Sequence, residues 1–169
     1  MKNHDKALLL FVMALIFLAG CSASFEEEQT KASEAVEEAF KGAANKRNQE
    51  NKEIQYHLPF GFEVKEESAN NIILKNGAKT YILFYNLQED ASSEVVLNAT
   101  LQQKEFDLDE RFTEEGKLGY LLVKRLNEKE NEVTVGIGGV KITSEVKTKN
   151  LAAEAEAMMH IANSVHFKS

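Results

Sequence analysis

The stretch NIILKNGAKTYILFYNL, Asn71–Leu87, decides how this chain reads. Two apolar runs, Ile72–Lys75 and Thr80–Asn86, flank Asn76-Gly77, a pair that favours the positive φ angles of a type I′ hairpin turn. The sheet is therefore expected to be antiparallel at its centre. Tyr81, Ile82, Leu83, Phe84 and Tyr85 follow one another without a polar interruption. Such a strand is expected to be central and covered on both faces.

Towards the C-terminus, LGYLLVKRL, EVTVGIG and VKITSEV read as three more strands, turned at Asn127–Asn131 and at Gly138-Gly139. In EDASSEVVLNATLQQ, Asp90 or Ser92 can cap a helix that carries Val96, Ala99, Thr100 and Gln103 at helical spacing, although Val95-Val96 would also suit a strand. A helix is expected there. KEFDLDERFTEEGK reads as a charged turn, a solvated acidic loop over Glu105–Glu115. LAAEAEAMMHIANSVHF places Leu151, Ala155, Met158, Ala162 and Val165 on one stripe, an amphipathic helix that passes into a short strand or tail at residues 164–167.

Towards the N-terminus, Pro59 biases Leu58 to extended backbone, and Phe62 and Val64 alternate as in an edge strand. Before them, Ala32, Ala35, Val36, Ala39, Phe40 and Ala43 recur at helical spacing. Glu26–Glu28 at the start and Lys46 and Arg47 at the end suit a helix dipole. The spacing predicts a helix from Glu27 to Asn48, packing lightly on the domain or serving as a stalk. Helix, three strands, helix, three strands, helix gives an α+β domain whose mainly antiparallel sheet has about five to six strands with flanking helices. The pattern from Pro59 onward, ending in MMHIANSV, resembles PsbP-like domains. That resemblance implies a small antiparallel sheet flanked by helices, of a kind found in lipid-anchored or lumenal accessory proteins, and it implies no site residue.

The first residues supply an address. Lys2 and Lys6 precede the apolar run Ala7–Ala19, which as a helix reaches about 20 Å, short of the ~30 Å hydrocarbon core. A basic segment, a short apolar run and small residues at its end make a secretory signal peptide. Its close, Leu18-Ala19-Gly20-Cys21, resembles the lipobox of bacterial lipoproteins, and Cys21 is the only cysteine. The resemblance implies a diacylglyceryl group with palmitate-type chains on the Cys21 thiol, cleavage between Gly20 and Cys21 and, in some members of the class, N-acylation of the new terminus. Two or three acyl chains give stable anchoring where one is marginal. The expected organisation is thus a signal peptide over 1–20, a tether and N-terminal helix over 21–56, and an α+β domain over 57–169. The expected location is the extracytoplasmic face of the cell membrane, with a possible envelope protein as partner.

Removing residues 1–20, which carry Lys2, Lys6 and Asp5, takes the formal charge from −7 to −8. That balance speaks against nucleic acid, which calls for clustered Lys and Arg. It also speaks against lying flat on an anionic bilayer, so the domain is expected to stand off the surface on its tether. No residue is assigned as catalytic, metal-ligating or cofactor-binding. GIGGVK, Gly136–Lys141, departs from both dinucleotide and phosphate-loop patterns and reads as a hairpin turn or bulge, with close approach by a partner as the other reading. His57, His160 and His166 lack zinc spacing, and EFDLDERF lacks the calcium-loop pattern. Tyr56, Phe60 and Phe62 cluster around Pro59 and would form an anchor patch for a protein partner if two or more were exposed together. The leading expectation is a non-enzymatic binding or assembly module of the cell envelope. The alternatives are a metal-assisted hydrolase using the acidic loop, or a carrier of a small apolar ligand.

Overall fold

Asn71–Asn76 and Lys79–Tyr85 pair as the expected hairpin in the computed structural model, which describes residues 24–168. In chain order the elements are α1 (Phe25–Lys41), β1 (Gln49–Glu50), β2 (Ile54–Tyr56), β3 (Phe62–Ser68), β4 (Asn71–Asn76), β5 (Lys79–Tyr85) and α2 (Val95–Leu101). Then follow β6 (Leu108–Glu114), β7 (Lys117–Arg125), β8 (Glu130–Ile137), β9 (Val140–Lys147), α3 (Leu151–Ser164) and β10 (His166–Phe167). The fold is α+β. Its main sheet has 7 strands in the order β3-β4-β5-β9-β8-β7-β6, and a 3-stranded sheet joins β1, β2 and β10. Every pairing is antiparallel.

The main sheet exceeds the expected strand count because the supposed acidic turn is strand β6. Leu108 and Phe112 face inward at period two, while Asp109 and Arg111 face out. Charges on an edge strand hinder pairing with another chain, and here they mask the strand's alternation. The β4–β5 turn also differs from expectation. Asn76 pairs with Lys79, so the central residues are Gly77 and Ala78, and only Gly77 has a positive φ, 59°. That is the pattern of a type II′ turn, which places glycine first. Glu115-Gly116, between β6 and β7, has φ of 50° and 78°, the pattern of type I′.

One face of the sheet is packed by α1 and α3, whose C-terminal ends meet where Asn163 reaches Ala39 and Gly42, so that the two run in the same direction. Ala32, Val36, Ala39 and Phe40 of α1 are buried in the same cluster as Leu151, Met158 and Ile161 of α3 and Leu83, Val135 and Ile142 of the sheet. Helix α1 is therefore part of the core and not a stalk. Its alanine stripe brings the backbone close to the sheet while the methionines of α3 fill the space beside it. Gly119 on β7 leaves room for Phe40, since a Cβ there would sit 2.7 Å from the ring. The helix starts at a complete capping box, with the Ser24 hydroxyl accepting from the Glu27 N–H and the Glu27 carboxylate accepting from the Ser24 N–H. It ends at Lys41, before Gly42, and not at Asn48. Asn163 of α3 donates its side-chain amide to the carbonyls of Ala39 and Gly42, at 2.9 and 3.0 Å. Those carbonyls belong to the helix end that lacks partners of its own.

The opposite face is covered over only part of its width. Leu97 of α2 packs with Leu118, Tyr120 and Leu122 of β7, joined at the margin by Leu101 and Phe106. Gly136 opposite Tyr120 makes space for that ring, as a Cβ would lie 2.3 Å from its hydroxyl carbon. Because α2 has 7 residues, it cannot extend across β9 and β5. Tyr81, Leu83 and Tyr85 are buried as expected, but Ile82 is 44% exposed. Covering β5 on both faces is thus only half realised.

Candidate interaction surface

The uncovered region follows from the pleat. Ile82 and Phe84 of β5 point away from α1 and α3, alongside Lys141 and Thr143 of β9 and Glu132 and Thr134 of β8. Ile82 lies opposite Thr143, and Thr143 opposite Thr134, with their hydroxyls 2.9 Å apart. A groove of about 500 Å³ runs past Ile82 and Thr143, bordered by Lys79, Lys147, Glu130, Glu132 and Glu145. Lys104 closes one side through an ion pair with Glu132 at 2.6 Å.

Lys141 sits where this groove meets α2. Its ammonium donates to the Thr100 hydroxyl oxygen at 2.9 Å and lies 5.6 Å from the centre of the Phe84 ring. Burial pushes its pKa below the usual lysine value, and the neighbouring Lys104 acts in the same direction. A lysine so shifted is a candidate base. Its partner argues otherwise. The Thr100 hydroxyl donates to the Val96 carbonyl at 2.7 Å, so its oxygen receives the lysine proton and offers none in return. Lys141 fastens α2 to the sheet and borders the open face with a desolvated amine. The groove thus carries an exposed isoleucine and threonine hydroxyls at its centre, with lysines and glutamates around its rim.

The structure distributes the residues singled out in the sequence. Gly20 and Cys21, with the signal peptide, lie outside the described residues. Gly138-Gly139 form the β8–β9 turn, and the close approach there comes from the chain itself. A Cβ on Gly138 would lie 2.0 Å from the Asp90 carbonyl oxygen. The Gly139 N–H donates to that oxygen at 3.1 Å. Asp90 instead accepts from the Ser92 side chain and backbone, which holds its pKa below the usual carboxylate value. It does not cap α2, whose first residue follows Glu94.

His57 Nδ1 lies 2.9 Å from the Lys46 carbonyl, His160 is 3.7 Å from Glu156, and His166 is exposed on β10. Among the described residues no three His, Cys, Asp or Glu side chains are placed to share a metal ion. In the Glu105–Glu115 segment, Asp107 accepts from the Arg125 N–H at 2.7 Å and Asp109 pairs with Arg111 at 2.8 Å. These two aspartates thus hold the edge strand to its neighbour and to Arg111. Of the aromatics around Pro59, Tyr56 is buried, which raises its pKa to about 12, and Phe62 packs on Tyr81 with ring centres 4.9 Å apart. Phe60 alone is fully exposed.

Sequence reasoning missed the Ile82–Phe84–Lys141 surface. A signal for it exists in VKITSEV, where Lys141, Thr143 and Glu145 alternate with Val140, Ile142 and Ser144. A polar outward face on β9 means that its neighbour β5 is open on the same side.

The chain matches no family model and no curated protein. Among solved structures it is similar to the solution structure of cyanobacterial PsbP (CyanoP) from Synechocystis sp. PCC 6803, with a TM-score of 0.41 and 17% identity, over 75% of this chain and 95% of that chain. A likeness of that extent assigns neither a site nor a partner.

Proposed function

We propose that this chain is a membrane-anchored extracytoplasmic lipoprotein whose α+β domain binds an envelope protein, acting as an assembly module and not as an enzyme. The anchor is the diacylglyceryl group that the Leu18-Ala19-Gly20-Cys21 sequence would receive at Cys21. The observation that carries the binding role is the open face of β5 and β9, where Ile82 remains 44% exposed beside Phe84 and Thr143 on the part of the sheet that α2 does not reach. Such a face, apolar at its centre and charged at its rim, has the composition of a protein contact. Lys141, the lysine here whose pKa burial lowers, donates to the Thr100 hydroxyl, a partner already committed to the Val96 carbonyl, which favours a fastening role for it over base chemistry. The space between sheet and helices is occupied by fully buried side chains such as Tyr81, Leu121 and Met158, which leaves the carrier reading without support.

The test is in-cell photocrosslinking from position 82, compared between the wild type and Cys21→Ala, with the N-terminal peptide weighed in the same samples. One envelope protein captured reproducibly, together with a lipidated Cys21 peptide, is the expected result. A lipidated peptide with no capture from position 82 would overturn the binding role and leave the anchor standing.

A further inference from the structure

We propose that the end of the domain where the chain leaves toward Cys21 is a bilayer contact surface, which binds the phosphate layer of the membrane. This rests on the lipid anchor at Cys21. Helix α1 begins at Phe25 and is built into the core, so Cys21 and Ser24 are separated by three residue steps. Fully extended chain spans at most about 3.5 Å per residue, which places Ser24 within roughly 10 Å of the acylated sulfur's residue. A domain held that closely cannot stand off the bilayer, and the end bearing Ser24 must face it.

That end has the chemistry for contact. Ser24 and Phe25 border an open cleft of about 1020 Å³ together with Arg125, Lys129, Lys147 and Lys149. Glu26, Glu128 and Glu130 also line it and the Glu27 carboxylate lies on Ser24 beside it, so the end is close to charge balance in a chain whose formal charge is −7. Among the described residues no carboxylate forms an ion pair with Lys129, Lys147 or Lys149. Their ammonium groups are available to lipid phosphates. Arg125 is fixed over the Phe25 ring, 4.9 Å from its centre, and the adjacent Leu126 is 43% exposed at the β7–β8 turn. Both α1 and α3 start at this end, so their positive dipole ends also point at the lipid. The excess carboxylates lie elsewhere on the domain. An anionic surface would attract this end and repel the remainder, holding the domain upright with the β5–β9 groove rising from the lipid, since Glu130 and Lys147 border both it and the cleft.

The test uses the intact lipidated protein in vesicles of phosphatidylcholine and phosphatidylglycerol, treated briefly with an amine-acylating reagent and read by peptide mass. Lys46 and Lys117, exposed and at the other end of the sheet, are internal standards. Lys129, Lys147 and Lys149 should label at least about fivefold more slowly relative to them, the effect of one basic side chain held at an anionic surface. That ratio should shrink as salt shortens the Debye length. Lys129→Glu with Lys147→Glu, both on exposed side chains, should restore labelling at Lys149. Equal labelling of both groups on a protein whose terminal peptide carries lipid would overturn the contact surface and leave the anchor intact. A terminal peptide without lipid would overturn the anchor, and the contact surface with it.

Discussion

Two glycines show how differently one residue type can matter. Gly77 has φ of 59° but nothing within 4 Å of an added Cβ, so Gly77→Ala meets only backbone strain of about 1 kcal/mol. Gly136 has no unusual φ, yet a Cβ there would lie 2.3 Å from the Tyr120 ring and 2.5 Å from the Val140 carbonyl. Gly136→Ala should cost about 3 kcal/mol by overpacking. Urea unfolding of the two variants should give this order, and the reverse order would mean that Tyr120 can move aside. Lys141 supplies a pH test. Its folded pKa lies below 10.5, so below that folded value both states hold the proton and the desolvation cost is complete. As pH rises toward 10.5 the folded state releases its proton first, and stability grows. The unfolding free energy of wild type minus that of Lys141→Met should therefore increase over this window. The buried tyrosines oppose the trend, but equally in both proteins. A flat difference would mean that the amine is effectively solvated. Neither Gly136 nor Lys141 announces its role in the sequence, because each depends on a residue distant in the chain, Tyr120 or Thr100.

Helix α1 depends on both of its ends. Ser24→Ala removes the hydroxyl of the capping box and should cost about 1 kcal/mol. Asn163→Ala removes the donors to Ala39 and Gly42 from the other end and should cost about 1–2 kcal/mol, chiefly through the partly buried bond to Ala39. Amide exchange can separate the two, because Gly42 N–H donates to Glu38. Asn163→Ala should accelerate exchange at Gly42, and Ser24→Ala should leave it unchanged. Equal acceleration in both would mean that α1 opens as one unit. What was legible at this scale was local. The β4–β5 hairpin, the β7 to β9 strands and the α3 stripe each carry their signal within a few residues of sequence. The depth of α1 was not legible, because alanines bury little surface by themselves and their burial depends on Met158 and Met159 beside them. Strand β6 was hidden by Asp109, Glu110 and Arg111, whose charge protects the sheet edge as a charge run protects a loop.

At the scale of the molecule, the two proposed surfaces are linked by tether length. With the proposed lipid at Cys21, the three residue steps to Ser24 would be too short to let the domain turn over, so that anchor would also fix which way the β5–β9 face looks. Lengthening it separates attachment from orientation. A flexible linker of about ten Gly and Ser residues has an r.m.s. span near 17 Å, well beyond the three residue steps it would extend. Inserted between Ser22 and Ala23, ahead of the capping box that opens α1, it should leave thermal unfolding unchanged. It should also leave the acylated peptide intact. The protection of Lys129, Lys147 and Lys149 should fall, because the loosely held domain, with its net negative charge, is pushed from an anionic surface. Crosslinking from position 82 should fall with it if the partner is itself fixed in the envelope. Protection that survives the longer linker would mean that the lysine-rich end binds lipid unaided, and the three-residue limit would then be incidental. Crosslinking that survives while protection falls would mean that the partner, and not the bilayer, orients the domain.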